Sequence, residues 1–179
     1  MRALKIISLA LIAMAGASAM IDNTAASNDH DRFNRRIEAR LTGYEENPTI
    51  SVPGIGSFKA VITKDDEIIY ELKYSGLESN ITQSHIHFGK PWFNGGIAAW
   101  LCRTEAAPGP ATNPPPDCEP GTEGTVTGVI TAANVIGPSG QGISAGEFDE
   151  LIAAIRSGSA YANVHTVNRG GGEIRGIIR

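Results

Sequence analysis

The sequence has little cysteine, few aromatic residues and no excess of positive charge. Two of its 179 residues are cysteine, 6% are aromatic, and the formal net charge is −4 at pH 7. No long basic run occurs in the mature chain, which excludes the positive surface that nucleic acids require. After the N-terminus, no apolar run approaches the roughly 20 residues needed to cross a bilayer. We therefore expect no nucleic-acid binding and no membrane span in the mature chain.

The N-terminus is different in composition. Basic residues precede an apolar stretch over residues 6–14, and small residues end at Ala19, as a signal peptidase requires. An uncleaved anchor is the alternative, but this apolar run is too short to span a bilayer. We expect a cleaved signal peptide over residues 1–19, cleavage after Ala19 and a secreted or periplasmic protein.

The two cysteines bracket a proline-rich stretch, "RTEAAPGPATNPPPD". In an oxidising compartment the simplest use of Cys102 and Cys118 is one disulfide. A pair of zinc thiolates is the alternative, but such sites favour closer spacing and more ligands. We expect the disulfide to hold the ends of a long loop, which is the best candidate for a surface that binds a partner.

Apolar and polar residues alternate along most of the chain after residue 39. In "EIIYELKY", Ile68, Tyr70, Leu72 and Tyr74 share one face, as in a half-buried strand. The turn "KDDE" joins this segment to "SFKAVIT", which indicates an antiparallel hairpin. Further strands are predicted at 39–45, 81–88, 96–102, 124–131, 160–166 and 173–179.

Many short strands at this spacing indicate an all-β sandwich or barrel. The length suits one domain, which we place at residues 39–179 after a flexible segment over residues 20–38. One segment has helical periodicity instead: "SAGEFDELIAAIRSG" begins with a capping box formed by Ser144 and Glu147. We predict a short helix over about residues 145–157, ended by Gly158.

The stretch "QSHIHFG" contains two of the four histidines. If residues 81–88 form a strand, Gln83, His85 and His87 share one face, with the histidine α-carbons about 7 Å apart. His165 is a third candidate, on another predicted strand. Imidazole is a good ligand for copper and zinc. A metal site made by these three histidines, with Glu173 as a fourth ligand or a supporting group, is one interpretation, and a solvent-exposed polar face is the other.

The segment "GGGEIRG" does not have the context of a phosphate-binding loop, because a predicted strand rather than a helix follows its glycines. We expect Glu173 and Arg175 to form a polar row with Asn163. A catalytic role for Glu173 is not favoured, since the sequence places no second carboxylate beside it. No hydrolase nucleophile motif occurs, so no catalytic residue is assigned.

Four blocks of the chain resemble, in order, those of the CHRD domain, a module named for its repeats in chordin. These blocks are "ARLTGYEENP", "SHIHFGKPWFNGGIAAWLC", "GTVTGVITAANVIGPSGQGISAGEFDELIAAIRSG" and "AYANVHTVNRGGGEIRG". The resemblance implies an extracytoplasmic, antiparallel immunoglobulin-like or superoxide-dismutase-like sandwich. The family's biochemical activity is generally unassigned. Growth-factor binding by chordin is associated with separate cysteine-rich modules, so we do not extend it to this chain.

Two functions follow as expectations. The first is a non-enzymatic, exported binding or structural module whose partner is an extracellular or periplasmic protein or glycan. The second is a copper or zinc protein with a surface histidine cluster and superoxide-dismutase-like redox chemistry. Shared architecture does not by itself transfer chemistry, so the position of the three histidines distinguishes these expectations.

Overall fold

The computed structural model describes residues 35–179. The predicted signal peptide, its cleavage after Ala19, and His30 lie outside these residues. Within residues 35–179, no helix combines the length and the apolar character needed to cross a membrane.

Eight strands and one α-helix form the described part of the chain. The strands are β1 (Arg36–Thr42), β2 (Ile55–Ile62), β3 (Ile68–Ser75), β4 (Ile81–Phe88), β5 (Gly96–Cys102), β6 (Gly124–Ile130), β7 (Ala160–Thr166) and β8 (Ile174–Ile177). All eight predicted strands are confirmed. Strand β1 begins at Arg36, three residues before the expected start of the domain, because Ile37 and Ala39 face the core between charged residues that face solvent.

The strands form one antiparallel sheet in the order β5-β4-β7-β8-β1-β2-β3-β6. Its edge strands β5 and β6 contact each other, and the Tyr70 hydroxyl of β3 donates a hydrogen bond of 2.6 Å to the Leu101 carbonyl of β5. The sheet is therefore nearly closed. The all-β class with one short helix is confirmed, but the expected immunoglobulin-like or superoxide-dismutase-like sandwich is not, because β1 pairs with both β2 and β8 and makes one continuous sheet.

Strands β8 and β1 approach each other unusually closely. A β-carbon at Gly176 would lie 1.9 Å from the Arg40 carbonyl oxygen, so only glycine fits at this position. Glu38 and Arg179 exchange two backbone hydrogen bonds of 2.8 and 2.9 Å on the same seam. This seam joins the hairpin half of the sheet to the half that carries the histidines.

The predicted helix is confirmed as α1 (Phe148–Arg156). It begins three residues later than expected, because Glu147 serves as its N-cap. The Glu147 carboxylate accepts a hydrogen bond of 2.6 Å from the Ser144 backbone N–H, which is one half of the predicted capping box. Gly158 follows the helix with φ +64°, which is the left-handed backbone conformation that commonly ends a helix. The apolar face of α1 is buried in the core.

Strand β7 is buried on both faces, and so is the part of β4 over residues 84–87. Their inner face contributes Ile86, Ala162 and Val164 to the core, and every residue of β7 is buried. Two loops cover the outer face: the Asn47 amide donates 2.7 Å to the Trp92 carbonyl, and the Asn94 amide donates 3.2 Å to the Asn47 carbonyl. The covered outer face is where the predicted site residues lie.

Candidate metal site

Pairing of β4 with β7 brings the three histidines together. His85 lies opposite Asn163, and His165 lies opposite Gln83, so the alternation of side chains places His85, His87 and His165 on one face. One ligand nitrogen from each histidine lies within 4.8 Å of the others. His85 Nδ1 is 3.1 Å from His165 Nε2. We call these three residues the histidine cluster.

The histidine cluster is buried rather than exposed. His85, His87 and His165 expose 1%, 8% and 6% of their surface, so the prediction of a surface cluster is wrong. The Trp100 ring packs edge-on against His85 with centroids 4.3 Å apart, and the Tyr161 ring stacks on His87 at 4.9 Å. Alternation along a strand identifies the outer face, but it does not show that other residues cover that face.

Backbone carbonyls orient two of the rings. His87 Nδ1 donates a hydrogen bond of 2.9 Å to Gly95 O, and His165 Nδ1 donates one of 3.0 Å to Gly170 O. Both residues therefore carry a lone pair on Nε2. Metal-binding histidines are commonly oriented in this way by their second nitrogen.

His85 completes the arrangement. The proton on His165 Nδ1 makes Nε2 of that ring an acceptor, so His85 Nδ1 donates the 3.1 Å hydrogen bond between them. Nε2 of His85 and Nε2 of His87 are buried and have no hydrogen-bond partner. An unsatisfied buried lone pair is costly, and a metal ion is one group that would satisfy the lone pair on His87 Nε2.

Burial keeps the cluster neutral. Desolvation, followed by the neighbouring imidazoles His165 and His87, lowers the pKa of His85 from 6.5 to about 2. Desolvation also lowers the pKa of His165 to about 4, and it lowers the pKa of His87. Neutral imidazole is the form that binds metal, so the lone pairs are available at neutral pH.

The spacing of the cluster is close to that of a metal site. Imidazole nitrogens lie about 2.0–2.1 Å from zinc, so two of them on one ion are at most about 4 Å apart. The His85–His165 separation of 3.1 Å fits this limit. The widest pair, within 4.8 Å, reaches the limit if the rings move together by about 1 Å or less.

Glu173 does not join the histidine cluster. Its side chain is fully buried, and its two carboxylate oxygens accept hydrogen bonds of 2.7 Å from the Glu78 backbone N–H and from the Thr166 hydroxyl. Thr166 faces the side of β7 opposite to His165. The carboxylate is thus occupied on the other face of the strand. The expected polar row of Glu173, Arg175 and Asn163 is therefore only partly formed. Arg175 and Asn163 lie opposite each other in β8 and β7, and Glu173 is not part of the row.

Glu46 is a functional candidate that the sequence analysis missed. The residue is 3% exposed, and its Oε2 lies 3.8 Å from Arg175 Nε. Desolvation raises its pKa from 4.5 to about 7, an effect that Arg175, Asn47 and Asn163 partly offset. Nothing in the local sequence distinguishes Glu46 from its exposed neighbour Glu45, because burial here comes from the distant strand β8.

Arg175 connects this acid to the loops above the site. Its Nε donates 2.6 Å to Glu45 O, and its Nη1 donates 3.2 Å each to Phe93 O and Asn94 Oδ1. Its guanidinium lies 4.4 Å from the centroid of the Tyr161 ring, which itself stacks on His87. Arg175 Nη2, Glu46 Oε1 and Asn163 Oδ1 are buried without a hydrogen-bond partner. A second group of unsatisfied polar atoms therefore adjoins the histidines.

The two cysteines pair as predicted. The sulfur atoms of Cys102 and Cys118 are at bonding distance, 2.10 Å. Beyond them, Arg103 Nε lies 3.1 Å from Asp117 Oδ1. The exposed proline-rich loop is therefore fixed at both ends to strand β5.

Comparison with known proteins gives one match. The family model of the CHRD domain matches residues 37–178, which include the histidine cluster, Glu46, Arg175 and the disulfide. No curated protein and no solved structure matches the chain.

Proposed function

We propose that this chain, which belongs to the CHRD domain family, is an exported, non-enzymatic module that binds one copper or zinc ion through His85, His87 and His165. The observation that carries the proposal is the convergence of three buried, neutral imidazoles whose ligand atoms lie within 4.8 Å of one another. In the proposed complex, the proton of His85 moves from Nδ1 to the unpartnered Nε2. Nδ1 then faces the ion beside His165 Nε2.

Export is supported by two independent features. The N-terminal sequence has the basic, apolar and small-residue regions of a signal peptide. The sulfur atoms of Cys102 and Cys118 are at bonding distance, and disulfides persist mainly in oxidising compartments. We place the mature protein, beginning at Met20, outside the cytoplasm.

The burial of the cluster supports a binding role over catalysis. A substrate reaches the histidines only if the rings of Trp100 and Tyr161 or the covering loops move, since each histidine exposes 8% or less of its surface. Superoxide-dismutase-like redox chemistry is the enzymatic alternative. Copper-loaded protein that dismutates superoxide faster than an equal amount of its His165→Ala variant would favour that alternative.

Metal analysis of the purified mature protein tests the proposal. After loading with copper or zinc and dialysis, we expect about one ion per chain, and we expect the His85→Ala, His87→Ala and His165→Ala variants to lose it. His30→Ala is the matched control, because it removes a histidine outside the cluster and should retain the ion. Absence of metal from folded wild-type protein contradicts the proposal.

A stability measurement covers the case in which a variant does not fold. An ion that binds only the folded state raises its stability, by about 2.7 kcal/mol at a free concentration of about 100 times the dissociation constant. The loaded wild-type protein should therefore unfold at a higher temperature than the metal-free protein. If neither metal raises the unfolding temperature of the wild-type protein, the proposal is contradicted. This result does not depend on any variant.

The loop between the cysteines carries a second candidate function. It is largely exposed, yet the disulfide and the Arg103–Asp117 pair fix both ends. Such fixed loops on a rigid sheet commonly bind partners. We propose an extracellular or periplasmic protein or glycan as the partner. Capture experiments should retrieve it with the wild-type protein but not with a variant whose residues 104–116 are replaced by a short glycine-serine linker; equal capture by both contradicts this function.

A further inference from the structure

We infer that the histidine cluster takes monovalent copper in preference to zinc. This inference rests on the proposed metal-binding function and specifies the ion. Three features of the structure carry it: the charge of the ligands, the number of ligands and the aromatic rings around them.

The first feature is the absence of a negative ligand from the cluster. Among residues 35–179, the histidine, cysteine and acidic groups able to share one ion at this place are His85, His87 and His165 alone. Neutral imidazoles leave the whole charge of the ion uncompensated. The cost of moving an ion from water into a medium of low dielectric constant rises with the square of its charge, so a divalent ion costs about four times as much as a monovalent one.

Nearby charged groups do not remove this difference. One nearby cation is Arg175, whose guanidinium lies 4.4 Å from the centroid of the Tyr161 ring that stacks on His87. The acid beside this cation is Glu46, whose Oε2 lies 3.8 Å from Arg175 Nε. Whether Glu46 is protonated or ionised, the Glu46–Arg175 pair has no net negative charge, so it does not neutralise an ion at the histidines. The surroundings favour the ion with the smaller charge.

The second feature is the number of ligands. Zinc in protein sites is almost always bound by four ligands, whereas monovalent copper, with a filled d shell, is stable with three nitrogen ligands. Glu173 is the carboxylate that the sequence suggested as a fourth ligand. Both of its oxygens are hydrogen-bonded on the other face of β7. A zinc ion here would need a fourth ligand from solvent, but a copper(I) ion would not.

The third feature is the aromatic wall. Trp100 packs against His85, and Tyr161 packs against His87. These rings limit the approach of water, and a site with little access to solvent favours the lower oxidation state of a bound metal. No redox step is needed, because copper is taken up in its monovalent form.

Competition titrations on the mature protein test the inference. Under anaerobic conditions, with ascorbate as a reductant that leaves the disulfide intact, copper(I) is titrated against bicinchoninate and zinc against 4-(2-pyridylazo)resorcinol. We expect one copper(I) per chain, held more tightly than zinc by about tenfold or more. X-ray absorption of the copper(I) form should show three nitrogen ligands at about 2.0 Å.

A charge variant tests the physical reason. Asn163 lies opposite His85 in the paired strands, on the face of the cluster. Asn163→Asp is nearly identical in size and adds a carboxylate beside the ion. We expect it to strengthen zinc binding relative to copper(I) by about tenfold or more, and circular dichroism checks that the variant is folded. An unchanged ratio overturns the charge argument.

The outcomes separate the two proposals. If zinc binds as tightly as copper(I), or if the copper site has four ligands, the preference for copper(I) is overturned while the metal-binding function stands. If folded wild-type protein binds neither ion, the proposed function fails as well. Copper(I) binding that persists in the His165→Ala variant and disappears in His30→Ala overturns the location of the site.

Discussion

Two imidazoles of the histidine cluster, those of His87 and His165, are oriented by the backbone carbonyl that the second ring nitrogen binds. Gly95 O and Gly170 O accept the Nδ1 protons of His87 and His165, so the lone pairs of these two rings are on Nε2. Glu46 is a different kind of residue: it is a buried carboxyl beside the cation of Arg175. These residues are titratable groups that burial keeps neutral, so the dependence of the unfolding free energy on pH tests their protonation states.

Glu46→Gln should change how the stability of the metal-free protein depends on pH. The pKa of Glu46 is raised from 4.5 to about 7 on folding, so the contribution of this group is fully present below pH 4.5 and is lost as the pH rises through 7. Its loss is on the order of 3 kcal/mol. Relative to wild type, the unfolding free energy of the variant should rise across this window and level off above it.

Urea denaturation from about pH 4 to about pH 8 measures both proteins under the same conditions. A difference between them that stays constant across this range contradicts the assignment of Glu46 as a buried acid.

The histidines should give the unfolding free energy the opposite dependence on pH. Burial lowers the pKa of His85 to about 2 and that of His165 to about 4, from 6.5. Their stabilising contribution is present above pH 6.5 and is lost as the pH falls toward these values, because the unfolded chain binds protons first. The Glu46→Gln protein, which lacks the opposing group, should lose stability in urea from pH 6.5 downward. A flat profile between pH 6.5 and pH 4 contradicts the burial of neutral imidazoles.

At the scale of elements, one strand positions two loops. Arg175 of β8 binds the carbonyl of Glu45 in the loop after β1, and it binds Phe93 and Asn94 in the loop after β4. These loops cover the outer face of β4 and β7, where the histidines lie. The buried guanidinium therefore connects the cover of the site to the sheet.

Arg175→Lys should loosen this cover. Lysine keeps the charge but cannot reproduce the planar set of donors, so buried carbonyls lose their partners at a cost of about 3 kcal/mol in unfolding free energy. Hydrogen exchange should become faster in residues 43–47 and 90–95. Arg169→Lys is the control, since Arg169 pairs with Glu78 at 2.9 Å on a partly exposed surface and should cost less than about 1 kcal/mol. Equal effects of the two substitutions contradict this role of Arg175.

At the scale of the whole molecule, the sheet curves until its two edge strands meet. The Tyr70 hydroxyl of β3 donates to Leu101 O of β5 across the interior, and Tyr70 is 3% exposed. An edge strand with unpaired backbone groups is a site of aggregation. Near closure of the sheet reduces the length of such edges.

Tyr70→Phe should weaken this closure. The substitution keeps the ring and removes the hydroxyl, which leaves the Leu101 carbonyl without this donor, so we expect a loss of about 1–2 kcal/mol of unfolding free energy. Tyr44→Phe is the matched control: Tyr44 is 63% exposed, and its change should stay within about 0.5 kcal/mol. If the two variants have the same denaturation midpoint, the Tyr70 hydrogen bond does not stabilise the fold.

Much of the fold follows from local sequence. Strands β4, β5 and β7 have the predicted bounds, because alternation and nearby turn residues are local signals. The helix is three residues shorter than predicted at its N-terminus, because Glu147 caps it. The strand pattern allowed either a sandwich or a barrel, and the expected sandwich was not the outcome, since the single sheet depends on pairing between β1 and β8, which are far apart in the chain.

The sequence by itself determined which residues share a face, and so it placed His85 and His87 together. It determined the disulfide as well, since only two cysteines exist. Only the tertiary structure decided that loops bury this face, that Glu46 joins Arg175, and that Glu173 binds Thr166 instead of approaching the histidines. The physical reason is that side-chain alternation is a property of a single strand, whereas burial and hydrogen-bond partners depend on segments that are distant in the chain.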